Sequence, residues 1–204
     1  MKIPIAILFA GLTISFFNQC SEKKTESSTL NAKEISTPNT TQYNGFESQI
    51  KWGEHLVIIG GCNDCHTPKK MTDRGPVLDT TRWLSGHPAM MPGIDVDRKA
   101  MERKGLIITM DLTEWVGPWG VSYTANLTPD DTGIGNWTEK QFFTALREGK
   151  YKGLVGSRTL LPPMPWEMLR NMTDNEISSI FAYLKSIKPI SNLVPQPLPP
   201  ANVK

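Results

Sequence analysis

The chain has 204 residues, of which 39% are hydrophobic and 21% are charged, a composition typical of an ordinary globular protein with one domain and extensions. Its formal net charge at pH 7 is +2, which is close to balance. So small a charge gives no support to nucleic-acid binding or to a polybasic membrane surface.

The first residues predict an export signal. Met1 and Lys2 precede an apolar run over residues 3–17 that is too short to span a bilayer comfortably. Cys20 follows, as in the processing site of a bacterial lipoprotein, and residues 1–20 are predicted to be a signal peptide ending at a lipidated Cys20. A conventionally cleaved signal with a spare thiol and an uncleaved anchor are the alternatives. All three predict a domain outside the cytoplasm, and lipidation predicts a membrane anchor on the periplasmic side.

The rest of the chain divides into three regions. Residues 21–44 are rich in Ser, Thr, Lys, Glu and Asn, so they bury too little apolar surface to offset their ordering entropy and are expected to form a disordered tether. Residues 45–190 carry periodic apolar patterns and are expected to form the folded domain. Residues 191–204 are rich in proline and predict an extended or disordered tail on the surface.

The domain begins with a predicted helix that leads into a cysteine motif. Apolar residues recur at roughly helical spacing over residues 46–59, and two glycines then end the helix. Cys62, Cys65 and His66 follow directly, in the arrangement Cys-x-x-Cys-His that attaches haem c. Two thiols on one side of a short turn can bond to the two vinyl groups of one porphyrin, and the adjacent imidazole then reaches the iron.

Two other kinds of site use a pair of cysteines. A zinc site of this kind needs a second pair of Cys or His, but the remaining residues of these types, Cys20, His55 and His87, are far apart in sequence. A thioredoxin-like dithiol needs a surrounding βαβ pattern, which the sequence lacks. The motif therefore favours one covalently attached haem c.

A long segment over residues 69–122 is dense in Gly, Pro and Trp, which is uncommon for a loop in a compact domain. Residues 106–112 and 120–125 have the β-branched and aromatic content of two short strands, so a small hairpin is predicted. Arg82 and Trp83, in the same segment, are candidates to cover the haem edge and a propionate, and simple loop packing is the alternative.

A methionine framed by prolines is the second element that carries chemistry. Met164 lies in the sequence Leu-Pro-Pro-Met-Pro-Trp over residues 161–166, where prolines exclude a helix and fix the loop. Low-spin haem needs a sixth ligand, and a thioether opposite His favours Fe(II). Met164 is the predicted distal ligand; Met90, Met91 and His87 are the rivals.

Two helices flank this methionine. Thr138 and Gln141 predict a capping box for a helix that ends at Gly149. Thr173 and Glu176 predict a second capping box, and the helix that follows is stopped by Pro189. Its apolar stripe is expected to pack across the helix that precedes the cysteine motif.

These motifs, in this order, resemble class I cytochromes c. More narrowly, the sequences Asn-Leu-Thr-Pro-Asp at 126–130, Thr-Gly-Ile-Gly-Asn-Trp at 132–137 and Met-Pro-Trp at 164–166 resemble the haem domains in the cytochrome c subunits of membrane-bound alcohol and gluconate dehydrogenases. The resemblance covers roughly residues 46–189. It implies that Cys62 and Cys65 carry the haem, that His66 is its proximal ligand and that Met164 is its distal ligand.

The chain departs from those subunits in having one haem motif and a long insertion between His66 and Asn126, whereas each of those subunits resembles three such domains in a row. The predicted fold is mainly α, a cytochrome c fold with a long loop insertion. The predicted function is one-electron transfer between membrane or periplasmic redox partners, such as a dehydrogenase, an oxidase or another cytochrome. The alternatives are a haem sensor or peroxidase-like enzyme with an open distal site, and a haem subunit of a dehydrogenase complex.

Overall fold

A computed structural model of the protein describes residues 42–201. The predicted signal peptide, Cys20 and most of the predicted tether lie outside these residues. Tyr43, close to the end of the predicted tether, packs against the core. Within residues 42–201 no helix combines the length and apolar character that crossing a membrane requires.

The described residues form six α-helices, two 3-10 helices (Thr80–Arg82 and Tyr151–Gly153) and two antiparallel sheets of two strands each. The sheets both lie in the insertion after the cysteine motif, together with one short α-helix and the first of the 3-10 helices. The helices are α1 (Gln49–Ile59), α2 (Cys62–His66), α3 (Arg98–Arg103), α4 (Glu139–Glu148), α5 (Trp166–Leu169) and α6 (Asp174–Ser186). The strands are β1 (Lys69–Thr72), β2 (Gly75–Leu78), β3 (Glu114–Gly117) and β4 (Gly120–Tyr123).

Helices α1 and α6 cross at the centre of the core, as the sequence predicted. Ser48 caps α1 by accepting a hydrogen bond from the amide of Lys51, and Thr173 and Glu176 form the predicted capping box of α6. The two backbones approach closely at Gly53, where an added Cβ would lie 1.9 Å from the carbonyl oxygen of Ser179. The core around this crossing consists of Trp52, Leu56, Val57, Leu84, Ile134, Phe142, Leu146, Leu169, Ile177, Ile180, Tyr183 and Leu184.

Helix α4 also follows its sequence signals. Thr138 and Gln141 form the capping box, and Gly149 ends the helix in the left-handed region with φ of 64°. An added Cβ at Gly149 would lie 2.4 Å from the ring of Trp166, so the first residue of α5 packs closely on the end of α4. This contact places the segment that contains Met164 beside α4.

The hairpin that the sequence predicted corresponds to β3 and β4, and it differs from the prediction in its first strand. Strand β4 lies within the predicted residues 120–125, but the strand predicted over residues 106–112 is wrong, because only Ile108 pairs there, with Val116 of β3. Asp111 accepts hydrogen bonds from the amide and hydroxyl of Thr113, and Leu112 between them has φ of 65°. This local turn prevents an extended strand from continuing through residue 112. The hairpin of β1 and β2 was not predicted.

The C-terminal tail is extended as predicted, but it packs into the molecule. Asn192 is only 5% exposed, and Leu198 pairs with Val121 of β4. The expectation of a tail lying on the surface is therefore wrong at Asn192, whose side-chain amide donates hydrogen bonds to backbone carbonyls of the insertion.

Candidate functional site

A largely apolar cavity of about 530 Å³ lies beside α2, the end of β4, the methionine loop, α6 and the C-terminal tail. This volume falls within the roughly 300–1,000 Å³ of typical cofactor and ligand sites. All four residues predicted to hold the haem lie on its wall: Cys62, Cys65, His66 and Met164. Much of the remaining wall is apolar, with Trp115, Leu127, Ile134, Trp137, Phe142, Leu146, Leu161, Leu169, Ile180 and Leu184.

His66 is held at its place on the wall by the insertion. The distance from its Nδ1 to the carbonyl oxygen of Ala125 is 2.7 Å, and Gly86 donates its amide to the carbonyl of His66. Only a protonated Nδ1 can donate to a carbonyl, so in the neutral ring Nε2 carries the free electron pair. Burial lowers the pKa of His66, and the bond to Ala125 offsets part of that effect. His66 therefore offers a neutral imidazole whose Nε2 suits a metal ion.

Cys62 and Cys65 lie one helical turn apart on α2, so their side chains share a face. Gly61 precedes them with φ of 70°, a conformation that separates α2 from α1. Burial raises the pKa of the Cys62 thiol to about 11, and it also raises the pKa of Cys65. Catalytic redox thiols have a lowered pKa, so these shifts run against the thioredoxin-like alternative.

The loop that contains Met164 is fixed by local turns and by the hairpin of β3 and β4. Met164 donates its amide to the carbonyl of Leu161 at 3.2 Å. The Oγ of Ser122 in β4, which is buried, donates to the carbonyl of Pro162 at 2.6 Å and accepts from Nε1 of Trp119 at 3.1 Å. The insertion thus supports both His66, through Ala125, and the Met164 loop, through Ser122. No pattern in the sequence indicated either contact.

Replacing Ser122 with Ala is expected to loosen the Met164 loop and to lower the free energy of unfolding by about 1–3 kcal/mol, because it leaves the Pro162 carbonyl and the Trp119 indole without this partner. The measurement is amide hydrogen exchange at Met164 together with chemical denaturation. Ser157→Ala is the matched control, since it removes a serine-to-carbonyl bond at Tyr151 in another loop. Unchanged exchange at Met164 in Ser122→Ala would contradict the expected role.

The rival ligands lie outside this cavity. Met90 is 93% exposed and, with Met91, lines a separate open groove. His87 is buried, with its Nδ1 2.8 Å from the hydroxyl of Thr113. Met172, by contrast, does line the cavity and was not among the sequence candidates. It has no proline frame, and its place one residue before the cap of α6 gave no signal that distinguished it from a core methionine.

Arg82 and Trp83 do not line the cavity either. Trp83 packs against the core and donates its Nε1 to the hydroxyl of Tyr183 at 3.0 Å, while Arg82 lines the separate groove. Simple loop packing, the alternative given for these two residues, is what the structure shows.

The cavity fits a large apolar group with a polar edge. Thr124 lines it with a buried hydroxyl that has no hydrogen-bond partner among the described residues. A buried polar atom without a partner is uncommon, and a bound molecule with an oxygen or nitrogen atom there would satisfy it. Two thiols, an imidazole, a thioether and an apolar wall together match the donors that hold haem.

Comparisons with known proteins support the resemblance found in the sequence. No family model matches the chain. It is 38% identical over 149 residues to one of the subunits of nicotinate dehydrogenase from Pseudomonas putida, a match that covers 72% of this chain and 9% of that protein. It is 36% identical over 152 residues to the fructose dehydrogenase cytochrome subunit of Gluconobacter japonicus, covering 74% of this chain and 24% of that relative.

The cytochrome c subunit of a quinone alcohol dehydrogenase from Gluconobacter oxydans is 27% identical over 147 residues, covering 71% of this chain and 23% of that relative. The chain therefore spans a quarter or less of the length of these relatives. The predicted resemblance to the cytochrome c subunits of dehydrogenases is confirmed.

Proposed function

We propose that this chain is an exported one-haem c-type cytochrome that transfers single electrons between redox proteins. The observation that carries the proposal is the meeting of Cys62, Cys65, His66 and Met164 on the wall of one cavity. The order of α1, the cysteine motif, the methionine loop and α6, with α6 crossing α1, supports a cytochrome c fold. Haem c, when bound, supplies the Fe(III)/Fe(II) couple that takes up and releases one electron.

In this proposal each residue has one role. Cys62 and Cys65 would hold the haem by thioether bonds, His66 would bind the iron through Nε2, and Met164 would bind it through sulfur. The thioether sulfur of Met164 favours Fe(II) and so raises the reduction potential. The apolar wall excludes water, and a lower local dielectric favours the less charged state of the site.

Electron transfer is favoured over substrate chemistry by what lines the cavity. The one carboxylate on its wall, within residues 42–201, belongs to Asp64, so these residues provide no carboxylate pair for acid–base catalysis. Two methionines lie on the wall, which leaves little support for an open sixth position of the kind a gas sensor or a peroxidase-like enzyme requires. The relatives named as cytochrome subunits point the same way.

The proposed partners are other redox proteins. Because its relatives are subunits of dehydrogenases, we propose a dehydrogenase as electron donor, with this chain either a free carrier or a haem subunit of the complex. The proposed location is the periplasmic side of a membrane, with a lipid on Cys20 as the anchor and residues 21–44 as the tether.

The test is haem attachment. The wild-type chain, expressed in a host that attaches haem c, is expected to keep one haem after denaturing electrophoresis and to give the pyridine haemochrome spectrum of a haem with two thioether bonds. The matched control is Cys20→Ser, which is expected to retain the haem, whereas Cys62→Ser with Cys65→Ser is expected to lose it. A wild-type chain without attached haem would overturn the proposal.

A further inference from the structure

We propose that the C-terminal segment over residues 190–198, here called the strap, completes the haem cavity, and that Asn192 is the positioning residue that holds it there. The inference rests on the proposed function, because it assumes haem in this cavity. Residues 193–197 line the cavity together with the cysteine motif and Met164. The strap is therefore expected to control how far solvent and small molecules reach the haem.

Asn192 fastens the strap to the insertion. Its Nδ2 donates to the carbonyl of Ser85 at 2.7 Å and to the carbonyl of His87 at 2.9 Å, and its Oδ1 accepts from the amide of Ala89 at 3.0 Å. The side chain is thus satisfied by backbone more than 100 residues earlier in the chain. An amide that is 5% exposed and bonded on both ends serves as a specific anchor rather than a surface contact.

The start of the strap is also held by the segment over residues 126–132. Asn126, which is 3% exposed, donates its Nδ2 to the carbonyl of Ile190 at 2.8 Å. The amide of Ile190 donates to the hydroxyl of Thr128 at 3.1 Å, and the amide of Asn192 donates to the hydroxyl of Thr132 at 2.9 Å. The strap therefore enters the cavity wall in a fixed position.

The C-terminal end of the strap is fixed by the hairpin of β3 and β4. Leu198 and Val121 exchange both backbone hydrogen bonds, at 2.9 and 3.0 Å. Gly120 allows this close approach, since a Cβ there would lie 2.1 Å from the carbonyl oxygen of Leu198. The strap is thus attached at both ends to elements that also support His66 and the Met164 loop.

Between these anchors the strap has no hydrogen bond to the rest of the described chain. Pro195 and Pro197 have no amide hydrogen to donate, and Val194 and both prolines lie on the cavity wall. An extended segment that is fixed only at its ends and presents apolar groups to the cavity acts as a cover. Its removal would let water approach the haem.

The consequence for function follows from the dielectric around the iron. Excluding water disfavours the more highly charged Fe(III) state and raises the reduction potential, and burial also shields the haem from small reductants. Loosening the strap is therefore expected to lower the midpoint potential and to speed reduction by a small reagent, while His66 and Met164 stay in place.

The test uses the full-length haem-loaded protein. Asn192→Ala is expected to be reduced severalfold faster by ascorbate and to have a lower midpoint potential than the wild type, with an unchanged sulfur-to-iron absorption band. Tyr183→Phe is the matched control, because it removes a partly buried hydrogen bond from Trp83 that lies away from the cavity, and it is expected to change neither quantity. A second variant, Pro195→Gly with Pro197→Gly, keeps both anchors and loosens only the cover, and the same shifts are expected.

The inference is overturned if Asn192→Ala binds haem and keeps the wild-type potential and ascorbate rate. If Asn192→Ala fails to fold, the variant Pro195→Gly with Pro197→Gly takes its place, and a wild-type potential and ascorbate rate in that variant overturn the inference. A wild-type protein without haem would instead refute the proposed function, so the two failures are distinguishable.

Discussion

Replacing Met164 with Ala is expected to lower the midpoint potential by roughly 0.2–0.3 V, a fraction of the ~0.8 V range over which axial ligands set haem potentials. The thioether that favours Fe(II) is lost, and the reduced iron gains an open position that binds carbon monoxide. The measurements are a redox titration and visible spectra of the reduced protein with and without carbon monoxide. The sulfur-to-iron band of the oxidised protein is expected to disappear.

Two other methionines serve as controls for this result. Met172→Leu keeps an apolar side chain in the same cavity, and Met91→Leu changes the rival ligand in the separate groove. Both are expected to retain the band and to exclude carbon monoxide. If Met172→Leu loses the band while Met164→Ala keeps it, the distal ligand is Met172 and the assignment of Met164 is wrong.

Replacing Gly53 with Ala is expected to lower the free energy of unfolding by about 3 kcal/mol or more, at or above the upper end of typical overpacking effects. In the interior of most helices this substitution stabilises by about 0.5–1 kcal/mol, so the expected sign is reversed. The reason is the crossing of α1 and α6, where the new Cβ would lie 1.9 Å from backbone that cannot rotate away. Denaturant unfolding measures the change.

The neighbouring substitution Glu54→Ala is the control for Gly53→Ala. Glu54 lies on the same helix, and its ion pair with Lys51 is exposed, so its loss is expected to change stability by less than about 0.5 kcal/mol. An equal or greater stability of Gly53→Ala would mean that α1 and α6 do not cross at this residue.

The parts of the fold that could be predicted depend on local signals. The capping boxes at Thr138 and Thr173 fixed the starts of α4 and α6, because a cap needs only a few neighbouring residues. The apolar periodicity predicted that α6 packs on α1. The cysteine motif indicated haem by its spacing alone.

The remaining features depend on contacts between distant residues. The bond from His66 to the carbonyl of Ala125 spans 59 positions, and the bond from Ser122 to the Pro162 carbonyl spans 40. Neither has a sequence pattern, because a backbone carbonyl is the same for every residue. The role of Asn192 could not be predicted for the same reason, since its side chain bonds to backbone groups of the insertion more than 100 residues earlier. The strand predicted over residues 106–112 failed because the turn at Asp111 and Thr113 overrides its β-branched composition.

The most direct test of the central claim is the visible spectrum of the reduced wild-type protein before and after exposure to carbon monoxide. A haem ligated by His66 and Met164 has no open position, so the spectrum is expected to stay unchanged. Immediate formation of the carbon monoxide complex by the wild type would contradict methionine ligation, and with it the assignment of this protein as a simple electron carrier.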